Sequence, residues 1–339
     1  MAEIGRLLTA MVTPFDDDGE INYKKARKLA TALINSGSDG LVIGGTTGES
    51  PSMSNDEKIR LFAEVKEEVG EQAAVIAGTT DNNHRNSIEL SKEAEGVGVD
   101  GLLLTVPAYN KPPMDGLYEH FKAIAAATSL PGILYNVPSR TSLNMDHATT
   151  LKLAEIDNIV GVKEASSDPV QITQIIDGSP DGFRVWSGND DETFSIMCTG
   201  GYGIVSVAAH IIGKQIQSMM GKILEGDVES AAADHRRMLP IFKAIFWVTN
   251  PVPIKYAVNR VLSTLDFSDL DNAITIYCHP VGKSSTNVHS DSVHSYEAPP
   301  LEVHTCGPKV DVAPVGLSWA NESRLLHEPS EPGAQDALA

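Results

Sequence analysis

Only three cysteines occur in the 339 residues, Cys198, Cys278 and Cys306. They are too few and too scattered for a disulfide framework, and no CxxC pair offers metal-ligand spacing, so buried or free thiols in a reducing compartment are expected. Positive charge is also scarce. The 26 Lys and Arg face 45 Asp and Glu, giving a formal net charge of -19 and an isoelectric point near 4.8. Such a chain repels phosphate backbones and anionic membrane surfaces, so nucleic acid is not an expected partner. No apolar run is long enough for a membrane helix. The opening MAEIGRLLTAMVTPF holds Glu3, one Arg6 and a brief apolar stretch, unlike a secretory signal, and a cytoplasmic location is the expectation.

What the chain does have is a sustained alternation. Eight short β-branched or leucine-rich runs bounded by turn residues read as strands: LLTAMVT (7–13), GLVIGG (40–45), AVIAG (74–78), GLLLTV (101–106), GILYN (132–136), IVGVKE (159–164), FRVWSG (183–188) and GIVSV (203–207). Between them lie amphipathic segments. Ala26, Leu29, Ala30, Leu33 and Ile34 line one helical face, and a later helix opens with the capping-box pair Ser54 and Glu57 and stops at Gly70. Strand followed by helix, repeated eight times, predicts parallel pairing through right-handed crossovers and closure into a (β/α)8 TIM barrel over residues 1–226. An open doubly wound sheet is the competing arrangement. Two further helical patterns, one over 231–248 and one over 251–265, form a C-terminal helical extension spanning 227–265.

Residues 266–339 differ in character, with eleven acids against three bases, seven prolines and five of the ten histidines, and no sustained period. A segment of this kind buries little and repels itself, so a poorly ordered tail is expected. The spacing of His279, His289, His294 and His304 fits no standard ligand pattern, and no metal site is assigned to them.

In a closed parallel barrel, chemistry gathers on the loops after the strands, so what each strand ends in is informative. The second ends in GGTTGES with Thr46 and Thr47; the fourth runs into VPAYNKP with Tyr109. The fifth delivers Tyr135 and then Arg140, the sixth Lys163, the seventh Gly188, and the eighth passes Val205. GGTTGES alone fits a phosphate cradle, a carboxylate site or a plain helix start, although it lacks the GK[ST] ending of a P-loop. The tyrosines taken singly read as rim aromatics, and Arg140 as a surface arginine. Lys163 is harder to treat as incidental. An ammonium at the end of a buried strand is expensive unless it is paired, for instance with Glu164 or another acid, or deprotonated. A desolvated neutral amine is a nucleophile towards ketones, which makes Lys163 a candidate Schiff-base lysine.

The segments GGTTGES, LTVPAYNKP, ILYNVPSRT, VGVKEASSD, SGNDD and TNPVPIK, in this order, resemble the dihydrodipicolinate synthase family. That family belongs to the pyruvate-dependent class I aldolases, a group that also contains N-acetylneuraminate lyase. The resemblance covers about residues 3–262 and implies condensation of pyruvate with L-aspartate 4-semialdehyde, on the route to diaminopimelate and lysine, without metal or organic cofactor. It further implies that Lys163 forms the imine, that Tyr135, Thr46 and Tyr109 relay protons, and that Thr47 and Thr46 hold the pyruvate carboxylate. Arg140 would face the carboxylate of the aldehyde, with Gly188 and Val205 bordering the site. The relay tyrosine is implied to reach in from a neighbouring subunit, so a homo-oligomer, dimer or tetramer, is expected.

Two departures from the family pattern stand out. Lysine-inhibited members carry a tyrosine, a histidine and a glutamate where this chain has Ala108, Lys58 and Asn86, although Asn82 still matches; insensitivity to lysine is the expectation. The family's usual C-terminal segment is replaced by DNAITIYCHPVGKSSTNVHSDSV, which puts tetramer packing in question. Two alternative functions are a related aldolase that cleaves a sugar-derived 2-keto acid, and a non-catalytic barrel that binds a keto acid. The PSRT arginine favours a short carboxylate-bearing partner over a polyol.

Overall fold

The computed structural model describes residues 3–264 and the two-residue strands Ile276–Tyr277 and Asn287–Val288. The order of the remaining tail and the surroundings of His279, His289, His294 and His304 lie outside the described residues. The chain divides into two units, Met1–Tyr296 and Glu297–Ala339, and everything described below belongs to the first.

Eight parallel strands close into a barrel in chain order: β1 (Leu7–Ala10), β2 (Gly40–Ile43), β3 (Ala74–Gly78), β4 (Gly101–Thr105), β5 (Gly132–Asn136), β6 (Ile159–Glu164), β7 (Arg184–Ser187) and β8 (Gly203–Ser206), with β8 pairing back onto β1. Around and after them run α1 (Tyr23–Asn35), α2 (Asn55–Val69), α3 (His84–Gly96), α4 (Met114–Ala125), α5 (Pro138–Thr141), α6 (His147–Ala154), α7 (Pro169–Gly178), α8 (Thr193–Cys198), α9 (Ala209–Leu224), α10 (Val228–Ala244) and α11 (Val252–Thr264). The short strands β9 (Ile276–Tyr277) and β10 (Asn287–Val288) pair antiparallel. The closed barrel, not the open sheet, is the architecture.

Alternation along each strand builds two cores. Leu8, Val42, Ala74, Ile76, Leu103, Ile133, Tyr135, Trp186 and Val205 fill the barrel interior. Leu7, Leu41, Ile43, Val75, Leu102, Leu104, Leu134, Val162, Val185 and Ile204 pack outward against the helices. With both faces covered, each buried leucine, isoleucine or valine contributes roughly 1.5–3 kcal/mol.

The predicted boundaries shift for local reasons. β1 ends at Ala10 rather than 13, because the Val12 N–H donates to His210 Nε2 (3.1 Å) instead of continuing the ladder. α10 begins at Val228, three residues before the expected start, because Asp227 caps it by accepting from the Ser230 N–H. The Ser54 and Glu57 capping box forms as read, each side chain bonding the other's backbone N–H, and Gly70 ends α2 at φ +59°. The short helix α5 over PSRT was not anticipated; four residues are too few to show a helical period.

Register then orients the site. Tyr135 of β5 pairs with Lys163 of β6, which pairs with Trp186 of β7. Laterally paired residues of a parallel sheet point to the same face, and both Tyr135 and Trp186 point into the barrel. Lys163 therefore points inward, and its chain neighbours Val162 and Glu164 point outward.

Candidate active site

Lys163 is 5% exposed, and its Nζ sits 4.1 Å from the centre of the Tyr135 ring. Burial pulls the amine down from its ordinary value to about 7; the Arg140 guanidinium pushes the same way and the Asp190 carboxylate opposes both. Among the described residues no carboxylate forms an ion pair with it. Glu164, the partner considered first, faces away and accepts from the Ser166 N–H (2.8 Å), Asn136 Nδ2 (3.1 Å) and Gln171 Nε2 (3.4 Å). Burial holds the Glu164 carboxyl above the usual range.

Tyr135 is buried, and desolvation raises its phenol to about 12, against the opposing influence of Arg140 and of a hydrogen bond with the Thr46 side chain. At neutral pH it is a protonated donor beside an amine that is partly neutral. Thr46 and Thr47 lie on the turn after β2. That turn needs Gly44 at φ +66°, places Glu49 at φ +61°, and closes through the Glu49 N–H to the Thr46 carbonyl (3.0 Å). The Thr47 hydroxyl oxygen accepts from Asn250 Nδ2 at 2.9 Å.

Arg140 extends from α5 at the rim and is exposed. Its Nη2 donates to the Asn250 carbonyl at 3.2 Å, while its charge reaches both Lys163 and Tyr135. Gly188, just after β7, donates its N–H to the Glu164 carbonyl (2.7 Å), and a Cβ there would come within 2.6 Å of the Ala165 side chain, so glycine permits this close approach. Val205 lines the barrel interior. Tyr109 is separate from this group. It is 88% exposed, adopts φ +70°, and its phenol bonds to none of the described residues; the adjacent Asn110 Nδ2 ties the loop to the Asn82 carbonyl at 3.0 Å.

Some members of this neighbourhood escaped sequence reasoning. Asp190, buried after β7, accepts from the Ser206 hydroxyl and from the Val207 (3.1 Å) and Ala208 (3.2 Å) N–H groups, and burial raises its carboxyl. Its signal was the acid pair ending SGNDD. Asn250 and Lys255 lie in TNPVPIK, beyond the barrel in sequence, and only the return of the chain brings them to the turn after β2. There Lys255, fully buried, makes an ion pair with Glu49. Among the described residues no cluster of His, Cys, Asp and Glu is placed to hold a metal ion, and no helix is long and apolar enough to cross a membrane.

The arrangement unites a desolvated amine, a proton-donating phenol, a hydroxyl-lined turn and a rim guanidinium, a set suited to forming an imine with a carboxylate-bearing ketone. Comparison with known proteins places the chain in a family. Residues 3–265 match the model of the dihydrodipicolinate synthetase family. The chain is 59% identical over 257 residues to 4-hydroxy-tetrahydrodipicolinate synthase of Moorella thermoacetica, covering 76% of this chain and 88% of that protein. Among solved structures, dihydrodipicolinate synthase from Cyanidioschyzon merolae with lysine bound is 42% identical with a TM-score of 0.76, covering 77% of this chain and 89% of that one. The chloride-inhibited enzyme from Acinetobacter baumannii complexed with pyruvate is 34% identical with a TM-score of 0.76, covering 83% of this chain and 94% of that one.

Proposed function

This chain belongs to the dihydrodipicolinate synthetase family, and on that premise we propose that it is a lyase of the class I aldolase type that condenses pyruvate with L-aspartate 4-semialdehyde to give 4-hydroxy-tetrahydrodipicolinate. The observation that carries the reading is the buried Lys163 amine, held near neutrality at 4.1 Å from the Tyr135 ring.

The neutral amine of Lys163 attacks the ketone carbon of pyruvate, and the resulting carbinolamine loses its hydroxyl as water to leave a protonated imine. The positive nitrogen acidifies the methyl group. Loss of one methyl proton gives an enamine, whose carbon adds to the aldehyde of the semialdehyde while the new alkoxide takes up a proton. The amine of the second substrate then displaces Lys163 and closes the ring. Tyr135 gives and recovers protons in these steps with Thr46 as its relay partner, a task for which a phenol is equipped as both donor and acceptor. Thr47 and Thr46 hold the pyruvate carboxylate, and Arg140 offers a planar fork to the carboxylate of the semialdehyde. Gly188 and Val205 border the bound substrates.

Tyr109 completes the relay of a neighbouring subunit. In support, its phenol is exposed in one chain, on a loop tied down at Asn110. The working form is then a homo-oligomer, dimer or tetramer, located in the cytoplasm.

Borohydride reduction in the presence of pyruvate tests the reading. Irreversible labelling of Lys163, absent in Lys163→Ala, together with turnover of aspartate semialdehyde but not of sugar aldehydes, is the expected result. Normal turnover by Lys163→Ala would overturn it. Labelling without turnover of any aldehyde would mark a keto-acid-binding barrel instead.

A further inference from the structure

We propose that Asn250 is a positioning residue that aims the Thr47 hydroxyl and thereby sets the affinity of the site for the carboxylate of its first substrate. The proposal rests on the reading of Thr47 as a carboxylate-binding group.

A threonine hydroxyl carries one proton and accepts through its lone pairs. The Asn250 Nδ2 donates to Thr47 Oγ1 at 2.9 Å. With that lone pair occupied by an amide N–H, the single hydroxyl proton is directed elsewhere, where an anionic oxygen can take it. An acceptor in place of the amide nitrogen would draw the proton back and turn Thr47 away from its ligand. The polarity of this one bond therefore matters as much as its presence.

The environment of Asn250 argues against a merely structural amide. It is 5% exposed, and its Oδ1 is buried with no hydrogen-bond partner among the described residues, so no polar network other than the Thr47 bond accounts for a buried carboxamide here. Its backbone carbonyl accepts from Arg140 Nη2 at 3.2 Å. One residue thus touches both groups read as carboxylate-binding, Thr47 through its side chain and Arg140 through its main chain. Its own position is fixed from behind. Five residues on, Lys255 is ion-paired with Glu49, two residues after Thr47, and the Lys255 N–H bonds the Pro251 carbonyl at 3.0 Å. The start of α11 and the turn after β2 are therefore joined at two points.

A double-mutant cycle on the full chain tests the proposal, read as the pyruvate concentration giving half-maximal borohydride labelling of Lys163 and as KM for each substrate. Asn250→Ala is expected to raise the pyruvate value about tenfold, in keeping with loss of one hydrogen bond to a charged ligand. The semialdehyde KM and the melting temperature should stay near those of the parent. On a Thr47→Val background the same substitution should change the pyruvate value less than about twofold. Asn250→Asp, nearly isosteric but with the donor removed, should weaken pyruvate at least as much as the alanine variant.

A full effect of Asn250→Ala on the Thr47→Val background, or parental pyruvate affinity in Asn250→Asp, would overturn the inference while leaving the imine reading intact. Failure of the parent protein to label at all would overturn that reading and the inference together.

Discussion

Tyr135 and Lys163 are lateral partners on adjacent parallel strands, and the amine of one lies 4.1 Å from the ring centre of the other. Their closeness is a property of the β-ladder rather than of a loop. Backbone hydrogen bonds fix the two Cα atoms side by side, and both side chains enter the same dry interior, where the amine loses its hydration and the phenol keeps its proton. The proximity and the perturbed acidities thus have one origin.

The acid limb of catalysis should report the lysine. Its value falls from the ordinary 10.5 to about 7, so the neutral fraction is nearly complete at pH 8 and about a tenth at pH 6. The rate of imine formation with pyruvate, followed by rapid quench with borohydride, should fall about tenfold per unit below the midpoint. A rate independent of pH between 6 and 9 would contradict this.

The two charges flanking the amine should move that limb in opposite directions. Asp190 favours the protonated form and Arg140 the neutral one. Asp190→Asn keeps an acceptor for the Val207 and Ala208 N–H groups and should shift the limb to lower pH. Arg140→Met should shift it to higher pH and also raise the semialdehyde KM. Parallel shifts in a pH–rate series would refute the assignment.

The buried pair of Glu49 and Lys255 makes a prediction about stability. Lys255→Met breaks this buried ion pair and should destabilise the fold by about 3–5 kcal/mol. Adding Glu49→Gln should recover a large part of the loss. Urea unfolding of the single and double variants decides the matter, and a neutral single variant would mean that water reaches the pair.

Feedback by lysine should be absent. Lys58 is buried, and desolvation lowers its amine below the ordinary value against the opposing influence of the Asp81 and Glu57 carboxylates. A lysine side chain stands there in place of the histidine of lysine-inhibited members, and Ala108 offers no phenol to hold the inhibitor. Millimolar lysine should leave the initial rate unchanged; half-maximal inhibition below a millimolar would refute this.

The barrel was legible in the sequence because strand runs and helical periods alternate without interruption, and hydrophobic patterning is a strong signal when every element is covered on both faces. Lys163 was legible because an ammonium ending an apolar run demands an explanation. Its choice between ion pair and free amine was not, since that depended on Glu164 facing outward, which register decides. The resemblance to a family supplied candidate roles for Thr46, Thr47, Tyr109 and Arg140 that composition could not. Asn250 and Lys255 stayed hidden for another reason: contacts 203 and 206 positions back along the chain leave no local pattern.

Tyr109 extends its phenol into water from a left-handed turn position, a conformation that most side chains avoid. If that ring serves the barrel next door, each subunit is deficient by itself, and specific activity becomes a function of protein concentration. Dilution would then silence the enzyme while circular dichroism recorded an intact fold, and mixing Tyr109→Phe subunits with Lys163→Ala subunits would restore turnover that neither possesses alone.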